Sequence, residues 1–315
     1  MKKTIKKLVA LVLVVAFVFS LAGCAKINYV TNQTIGAIKE TREEGWTPDG
    51  SADGETTERE DVAVIDELTP GTYGGVEFNT IEDIVKYYVE AYDYTKSLTA
   101  EYSIQDGSTL TFYKLVGQET LSIVEGSVLI EGKENSVING LVPGIVDGLV
   151  KSNVWGLSPC VSRDPGADAD FAKCLLTADD VLVANASEKD GKIVLQIQPK
   201  AAQMSQKGQD SQGKAFMVLG DIGATVESIS VLSWASGTTE ENCLVTYQGG
   251  TVTVVIDPTT KEIVEADYLM NVNVDVKHAN VAVIKDKSAS LQIQHTLHYP
   301  ASDEYLLERI GATRK

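Results

Sequence analysis

In the C-terminal third of the chain, apolar and polar residues take turns. Met270, Val272, Val274 and Val276 alternate with Asn271, Asn273, Asp275 and Lys277. A period of two places one set on each side of a strand, so one face is buried and the other is wet. Leu291, Ile293 and Leu297 repeat the pattern, and a turn is expected around Lys285-Asp286-Lys287. Upstream, Leu244 to Tyr247, Thr251 to Ile256 and Glu262 to Tyr268 also read as strands. Gln248-Gly249-Gly250 and Asp257-Pro258-Thr259-Thr260 are turn-forming segments between them. Consecutive short strands with tight turns predict an antiparallel meander.

The segment from Val76 adds helices to this sheet. Thr80 and Asp83 form a capping pair. Ile81, Ile84, Val85, Tyr88, Val89 and Tyr92 then fall on one helical face, predicting an amphipathic helix that ends near Lys96. Tyr87, Tyr88, Tyr92 and Tyr94 read as core residues whose hydroxyls reach the surface. A second helix is expected around Leu141, Val142, Ile145, Val146, Leu149 and Val150, with Pro143 in its first turn. Asp106-Gly107 and Asp190-Gly191 are hairpin signals, the second between Val181 to Ala186 and Lys192 to Gln198. The polar stretch Ala201 to Lys214 predicts a short helix or a surface excursion. Together these predict one α+β domain over 76–315. Its large curved antiparallel sheet, half-barrel-like, is covered by about two helices.

The N-terminal quarter has a different composition. Glu40 to Glu67 holds eleven acids against Arg42 and Arg59, with Gly45, Pro48, Gly50 and Gly54 among few apolar residues. Such a stretch cannot bury enough surface to offset its ordering entropy, and self-repulsion extends it. Residues 24–75 therefore read as an acidic flexible tether. Before it, Lys2, Lys3, Lys6 and Lys7 precede an apolar run from Leu8 to Phe19. This is the grammar of a secretory signal, and the run is shorter than the roughly 20 residues of a membrane span. Leu21-Ala22-Gly23-Cys24 closes the signal and resembles the lipobox of bacterial lipoproteins. The resemblance implies a signal peptide over 1–23, cleavage after Gly23 and lipid on the Cys24 thiol. Each buried methylene contributes ~0.8 kcal/mol, so two acyl chains hold such a protein stably on a membrane. The implied location is the extracytoplasmic face of the cell membrane.

Charge narrows the partners. Removing a signal that carries four lysines and no acid takes the net charge from −17 to −21. Such a body is repelled by nucleic acid, which excludes that class of partner. Of the remaining cysteines, Cys160 and Cys174 are spaced to close a short loop worth roughly 3 kcal/mol if bridged. Cys243 opens an apolar strand and reads as a small buried residue. No Cys/His spacing matches a zinc site, and no metal or cofactor is expected.

The remaining motifs have bland readings that outweigh their chemical ones. Gly208 to Ala215 nearly spells a phosphate-binding loop, but Ala215 stands where a magnesium-binding hydroxyl is needed. Ser211 and Lys214 form an SxxK pair without the partner motifs of penicillin-binding enzymes. Asp168 with Asp170, and Asp179 with Asp180, are adjacent acids, and adjacency alone does not build a cleft. Trp155 and Trp234 read as core residues rather than sugar platforms. No residue is assigned a catalytic role.

His278 and His295 are the candidate ligand-facing residues. Alternation places His278 after Val276 and His295 between Ile293 and Leu297, both on the apolar face. If the strands pair, the two imidazoles make a polar spot in an apolar surface, suited to a ligand head group or a pH-sensitive pair. The bland alternative is two hydrogen-bonded histidines near the sheet edge.

In element order the body resembles the half-barrel lipoprotein carriers, related in shape to periplasmic lipoprotein-localisation chaperones. In general style it also resembles uncharacterised lipoproteins of Gram-positive anaerobes. The carrier resemblance implies a non-enzymatic protein that binds an apolar or lipid-like ligand. A module binding another envelope protein is the alternative, and a hydrolase of envelope polymers is a third reading.

Overall fold

The computed structural model describes residues 61–104, 106–123, 129–130, 133–134, 154–156, 173–206, 208–216, 222–227, 232–281, 284–300 and 312–314. The second helix expected near Leu141 to Val150 lies outside these residues, as do Cys24, Cys160, Asp168 and Asp170.

A small hairpin, β1 (Gly71–Tyr73) with β2 (Val76–Phe78), leads into helix α1 (Ile81–Ser97). The helix begins where the sequence places it. Thr80 caps it, its Oγ1 accepting from the Asp83 N–H, while Asp83 Oδ2 accepts from the Thr80 N–H at 2.9 Å. Strands β3 (Thr99–Ile104) and β4 (Thr109–Tyr113) form the expected hairpin, with Gly107 at φ 85° in its turn. Strand β17 (Ala312–Arg314) pairs with β3 to complete a separate three-stranded sheet.

The other strands form one antiparallel sheet. They are β5 (Val116–Ile123), β6 (Leu129–Ile130), β7 (Lys133–Glu134), β8 (Val154–Gly156), β9 (Val181–Lys189), β10 (Lys192–Pro199), β11 (Ala202–Gln203), β12 (Leu232–Trp234), β13 (Cys243–Tyr247), β14 (Thr251–Ile256), β15 (Ile263–Val281) and β16 (Ile284–Tyr299). Short helices α2 (Ser211–Phe216), α3 (Ile222–Glu227) and α4 (Thr239–Asn242) lie between β11 and β13. The main path runs β7-β6-β16-β15-β14-β10-β9, and the described strands close no barrel. The architecture is the expected α+β arrangement of a large antiparallel sheet with few helices.

The spine of the sheet is the ribbon of β15 and β16, 19 and 16 residues long. Shorter strands line its edges end to end. β14, β13 and β12 follow one another along β15, and β5 and β6 along β16. This corrects one expected turn. Gln248-Gly249-Gly250 does not reverse the chain, because β13 and β14 are both antiparallel to β15 and run in the same direction. Tyr247 pairs with Val272 and Thr251 with Leu269, so three residues face two. That is a β-bulge, with Gly249 at φ 65°. Gly250 sits so close to β15 that an added Cβ would stand 2.7 Å from the Leu269 carbonyl oxygen.

A second correction concerns the ribbon itself. Lys285-Asp286-Lys287 is not a turn: Val281 already pairs with Ile284, and all three residues belong to β16. Two opposed bulges lie here. Val276 pairs with Ala289 and Ala279 with Lys287, leaving an extra residue on β15. Ala279 to Val281 then faces Lys287 to Ile284, leaving an extra residue on β16. His278 at φ 50° and Asp286 at φ 51° occupy the left-handed positions of the two bulges.

The inner face of the sheet holds the core. Ile84, Val85, Tyr88, Ala91 and Tyr92 of α1 pack against Ile193, Leu195, Ile197, Val252, Val254, Tyr268 and Tyr299. Each large side chain so buried contributes roughly 1.5–3 kcal/mol. Met270, Val272, Val274 and Val276 are buried as their alternation predicts. The tyrosines depart from expectation. Tyr88 and Tyr268 turn their hydroxyls inward and bond each other at 2.9 Å, while Tyr94 is 44% exposed. The hydroxyl of Tyr87 is buried with no partner.

The body also reaches further toward the N-terminus than the boundary near Val76. Gln198, wholly buried, grips the main chain of the preceding segment. Its Oε1 accepts from the Val64 N–H and its Nε2 donates to the Val62 carbonyl, both at 2.7 Å. Asp61 Oδ2 accepts from the Ala201 N–H at 2.7 Å. A carboxamide offers one donor and one acceptor side by side, the pattern of a neighbouring strand. It therefore holds residues 61–64 as a strap.

Candidate functional site

The sequence brings His278 and His295 to one surface; the structure separates them. His295 pairs with Met270 and is buried, 2% exposed, on the inner face. Eight residues further along β15, a distance of ~26 Å at ~3.3 Å per residue, the bulge shifts the alternation by one place. Ala279 takes the buried position, and His278 turns outward. Its Nδ1 lies 2.8 Å from Asp286 Oδ1, so the two left-handed residues are bonded to each other. Asn280 Oδ1 accepts from the Asp286 N–H at 3.0 Å, and the His278 carbonyl accepts from the Ala235 N–H at 2.7 Å. These bonds lock the two bulges together, and they do not make an apolar ligand site. His298, on the outer face, has its Nδ1 2.6 Å from Asp267 Oδ1 of the facing strand.

Ser211 and Lys214 are also engaged elsewhere. The Ser211 hydroxyl donates to the Lys200 carbonyl at 2.7 Å, and Lys214 Nζ donates to Asp180 Oδ1 at 2.7 Å. Burial raises the Asp180 pKa, but the Lys214 ammonium and the Thr177 hydroxyl and amide outweigh it and hold the carboxyl below its usual range. Asp180 caps a single 3-10 turn, Ala178–Asp180, rather than joining Asp179 across a cleft. Trp234 is partly buried against the core, and its Nε1 donates to Thr239 Oγ1 at 3.0 Å. Among the described residues no three His, Cys, Asp or Glu side chains converge, and no helix is long and apolar enough to cross a membrane.

Cys174 and Cys243 are thiols. Burial pushes each up to about 12, with the nearby Asp93 and Asp180 adding to it at Cys174 and Asp275 at Cys243. Such thiols are poor nucleophiles at neutral pH.

A cleft of about 480 Å³ lies elsewhere, beside β9. Its walls are Leu182, Val183 and Ala184 of β9, Asn79, Thr80 and Ile81 at the start of α1, and Asp61, Ala63, Glu67 and Leu68 of the strap segment. β9 ends the main path of the sheet, and among the described strands it pairs with β10 alone. β9 is bulged beside the cleft, where Gln198 pairs with Val183 and Pro199 with Val181, and Val183 and Ala184 are 5% and 0% exposed. Leu68, Ile81, Leu182 and Ala184 make the cleft's apolar surface, and its charged lining residues, Asp61 and Glu67, are both acidic.

Sequence reasoning missed this cleft because acid-rich composition assigned residues 61–70 to the tether. A signal was present. Val62-Ala63-Val64-Ile65 is an unbroken apolar quartet between Asp61 and Asp66, unlike the stretch before it. No protein family model, curated protein or solved structure matches the chain.

Proposed function

We propose that this chain is a lipid-anchored, extracytoplasmic and non-enzymatic module that binds another protein of the cell envelope. The lipobox Leu21-Ala22-Gly23-Cys24 supports the anchor. One observation favours protein binding over carriage of an apolar ligand. The space between α1 and the sheet is occupied by interlocking side chains, including Tyr88, Tyr92, Tyr268 and Tyr299 at 0–2% exposure. A carrier needs an apolar chamber of some hundreds of Å³. Two clefts among the described residues lie along the strap and along α1.

Two measurements test this. Native mass spectrometry of the full-length protein, delipidated at Cys24 by a Cys24→Ser substitution, should show the bare polypeptide mass. A co-purifying lipid at near-unit occupancy would restore the carrier. In the producing cell, wild-type protein should sediment with membranes and form a discrete crosslinked species with an envelope protein. The Cys24→Ser protein should leave the membrane fraction; if it stays there, the anchor reading fails.

A further inference from the structure

We propose that the outer face of the sheet, where β14, β15 and β16 lie side by side, is a binding platform for a neutral polysaccharide of the cell envelope. The proposal does not depend on the protein-binding reading, and its residues line neither cleft. Its first support is the composition of the face. Buried Val252, Val254, Met270, Val272, Ile293 and Leu297 point inward. Alternation therefore turns Thr251, Thr253, Leu269, Asn271, Gln294 and Thr296 outward, and all six are partly exposed. Register brings them together. Leu269 pairs with Thr251 on one side and Thr296 on the other, and Asn271 pairs with Gln294. Asp267 lies beside them, between Thr253 and His298. In a chain with 44 acids, this patch holds one carboxylate, no lysine and no arginine.

The second support is that the polar groups are already oriented. A carboxylate only accepts, so His298 Nδ1, 2.6 Å from Asp267 Oδ1, carries the hydrogen and Nε2 is left as an acceptor. The two side chains are 41% and 47% exposed. Asn271 lies four residues further along β15, ~13 Å away at ~3.3 Å per residue. Its Nδ2 donates to the Gly249 carbonyl at 3.0 Å, and its Oδ1 accepts from Gln294 Nε2 at 3.3 Å. Gln294 keeps its Oε1 and a second Nε2 hydrogen for a ligand. Between these ends stands Leu269, flanked by the Thr251 and Thr296 hydroxyls. Fixed donors and acceptors around a small apolar centre suit a sugar, which carries hydroxyls at its rim and C–H groups on its ring faces. The patch also selects against other partners. Protein interfaces draw on Tyr, Trp, Phe, Met and Arg at their centre, and the patch presents none of them. An anionic polymer finds no cation in it, and a cationic segment finds only Asp267, already bonded to His298. Exposed hydrogen bonds exchange with water, so one site binds weakly, and a repeating polymer beneath many anchored copies adds avidity.

The test uses two immobilised probes from the producing cell, its protease-treated neutral envelope polysaccharide and its anionic envelope polymer, with the full-length Cys24→Ser protein. The protein should be retained on the neutral probe and pass the anionic one. Retention should survive about 0.5 M salt, where surface charge contacts are screened. Thr296→Arg puts a long side chain in the middle of the patch and should weaken retention at least tenfold while Tm is kept. Gln294→Ala, which removes only a carboxamide, should weaken it about fivefold. Lys189→Ala, an exposed change outside the patch, should leave it unaltered. No retention on the neutral probe, retention that both patch variants leave intact, or retention abolished by salt overturns the proposal. A photo-crosslinker at Thr296 reads the competing outcome. A discrete envelope protein captured there, with the neutral probe silent, replaces the polysaccharide with a protein and leaves the protein-binding reading standing.

Discussion

The buried hydroxyl pair Tyr88–Tyr268 makes a prediction whose sign depends on the structure. Both side chains are 1% exposed, and their oxygens are 2.9 Å apart. Tyr88→Phe or Tyr268→Phe removes one oxygen and leaves the other buried without a partner. The cost is that of an unsatisfied buried polar group, ~1–3 kcal/mol. Changing both to Phe leaves no stranded group and removes only two hydroxyls from the packing, and the edge-on packing of Tyr268 against Tyr299 (centroids 5.9 Å, 77°) needs no hydroxyl. The double variant should therefore lie within ~1 kcal/mol of wild type, because removing both partners together is nearly neutral. The assay is urea unfolding of the four proteins, analysed as a double-mutant cycle. Each single variant should lose about 2 kcal/mol, or roughly 4–8 °C in Tm for a domain of this size. Additive losses, with the double variant as weak as the sum of the singles, would refute the hydroxyl–hydroxyl contact.

Three further outcomes concern a carboxyl, a thiol and a glycine. The Asp180 carboxyl is held below its ordinary value of 3.8 in the folded state, so its stabilising contribution is complete above the unfolded value and is lost as pH falls through the folded one. Asp180→Asn should cost about 1–3 kcal/mol at pH 7, between exposed and buried pairs, and should flatten the acid limb of stability below about pH 4 in chemical denaturation. Cys243, 2% exposed and pushed up to about 12, should resist iodoacetamide at pH 8 in the native protein and react fully in denaturant; fast native labelling would show that burial is incomplete. At the β13–β14 junction, Gly250→Ala should destabilise more than Gly107→Ala in thermal melts. The added methyl at Gly250 meets the Leu269 carbonyl at 2.7 Å and the Phe216 ring at 3.0 Å, so the backbone must shift, whereas at Gly107 the space is open and the cost is only the strain of its φ of 85°.

Local signals carried most of the fold. The α1 boundary was legible because Thr80 and Asp83 cap it through bonds three residues apart, and the β9–β10 hairpin because Asp190 and Gly191 take φ 53° and 71° in its turn. Partner choice was not legible. Gln248-Gly249-Gly250 has the composition of a hairpin turn and of a bulge alike, and which one forms depends on β15 lying alongside both β13 and β14. That contact joins residues some twenty-five positions apart, and no short window contains it. The strap was hidden for a related reason. Its anchor, Gln198, is a polar residue 134 positions away from Val64.

The histidines show how a single residue changes what a strand can do. Buried positions run through Met270, Val272, Val274 and Val276, then jump to Ala279. The slip from even to odd numbers is written in the sequence as Ala279 and Val281 following Val276, and it is the mark of an inserted residue. Without the bulge, His278 would face the core with His295. With it, the imidazole reaches Asp286, itself left-handed in the opposing bulge. Non-glycine residues in that region cost ~1–3 kcal/mol unless their surroundings compensate, and here one hydrogen bond joins the two strained residues. The two breaks in regularity also restore each other: the extra residue on β15 is answered by one on β16, so the ribbon regains its register at Val281–Ile284. The pair of bulges therefore lets the two strands close in register where β15 ends and β16 begins.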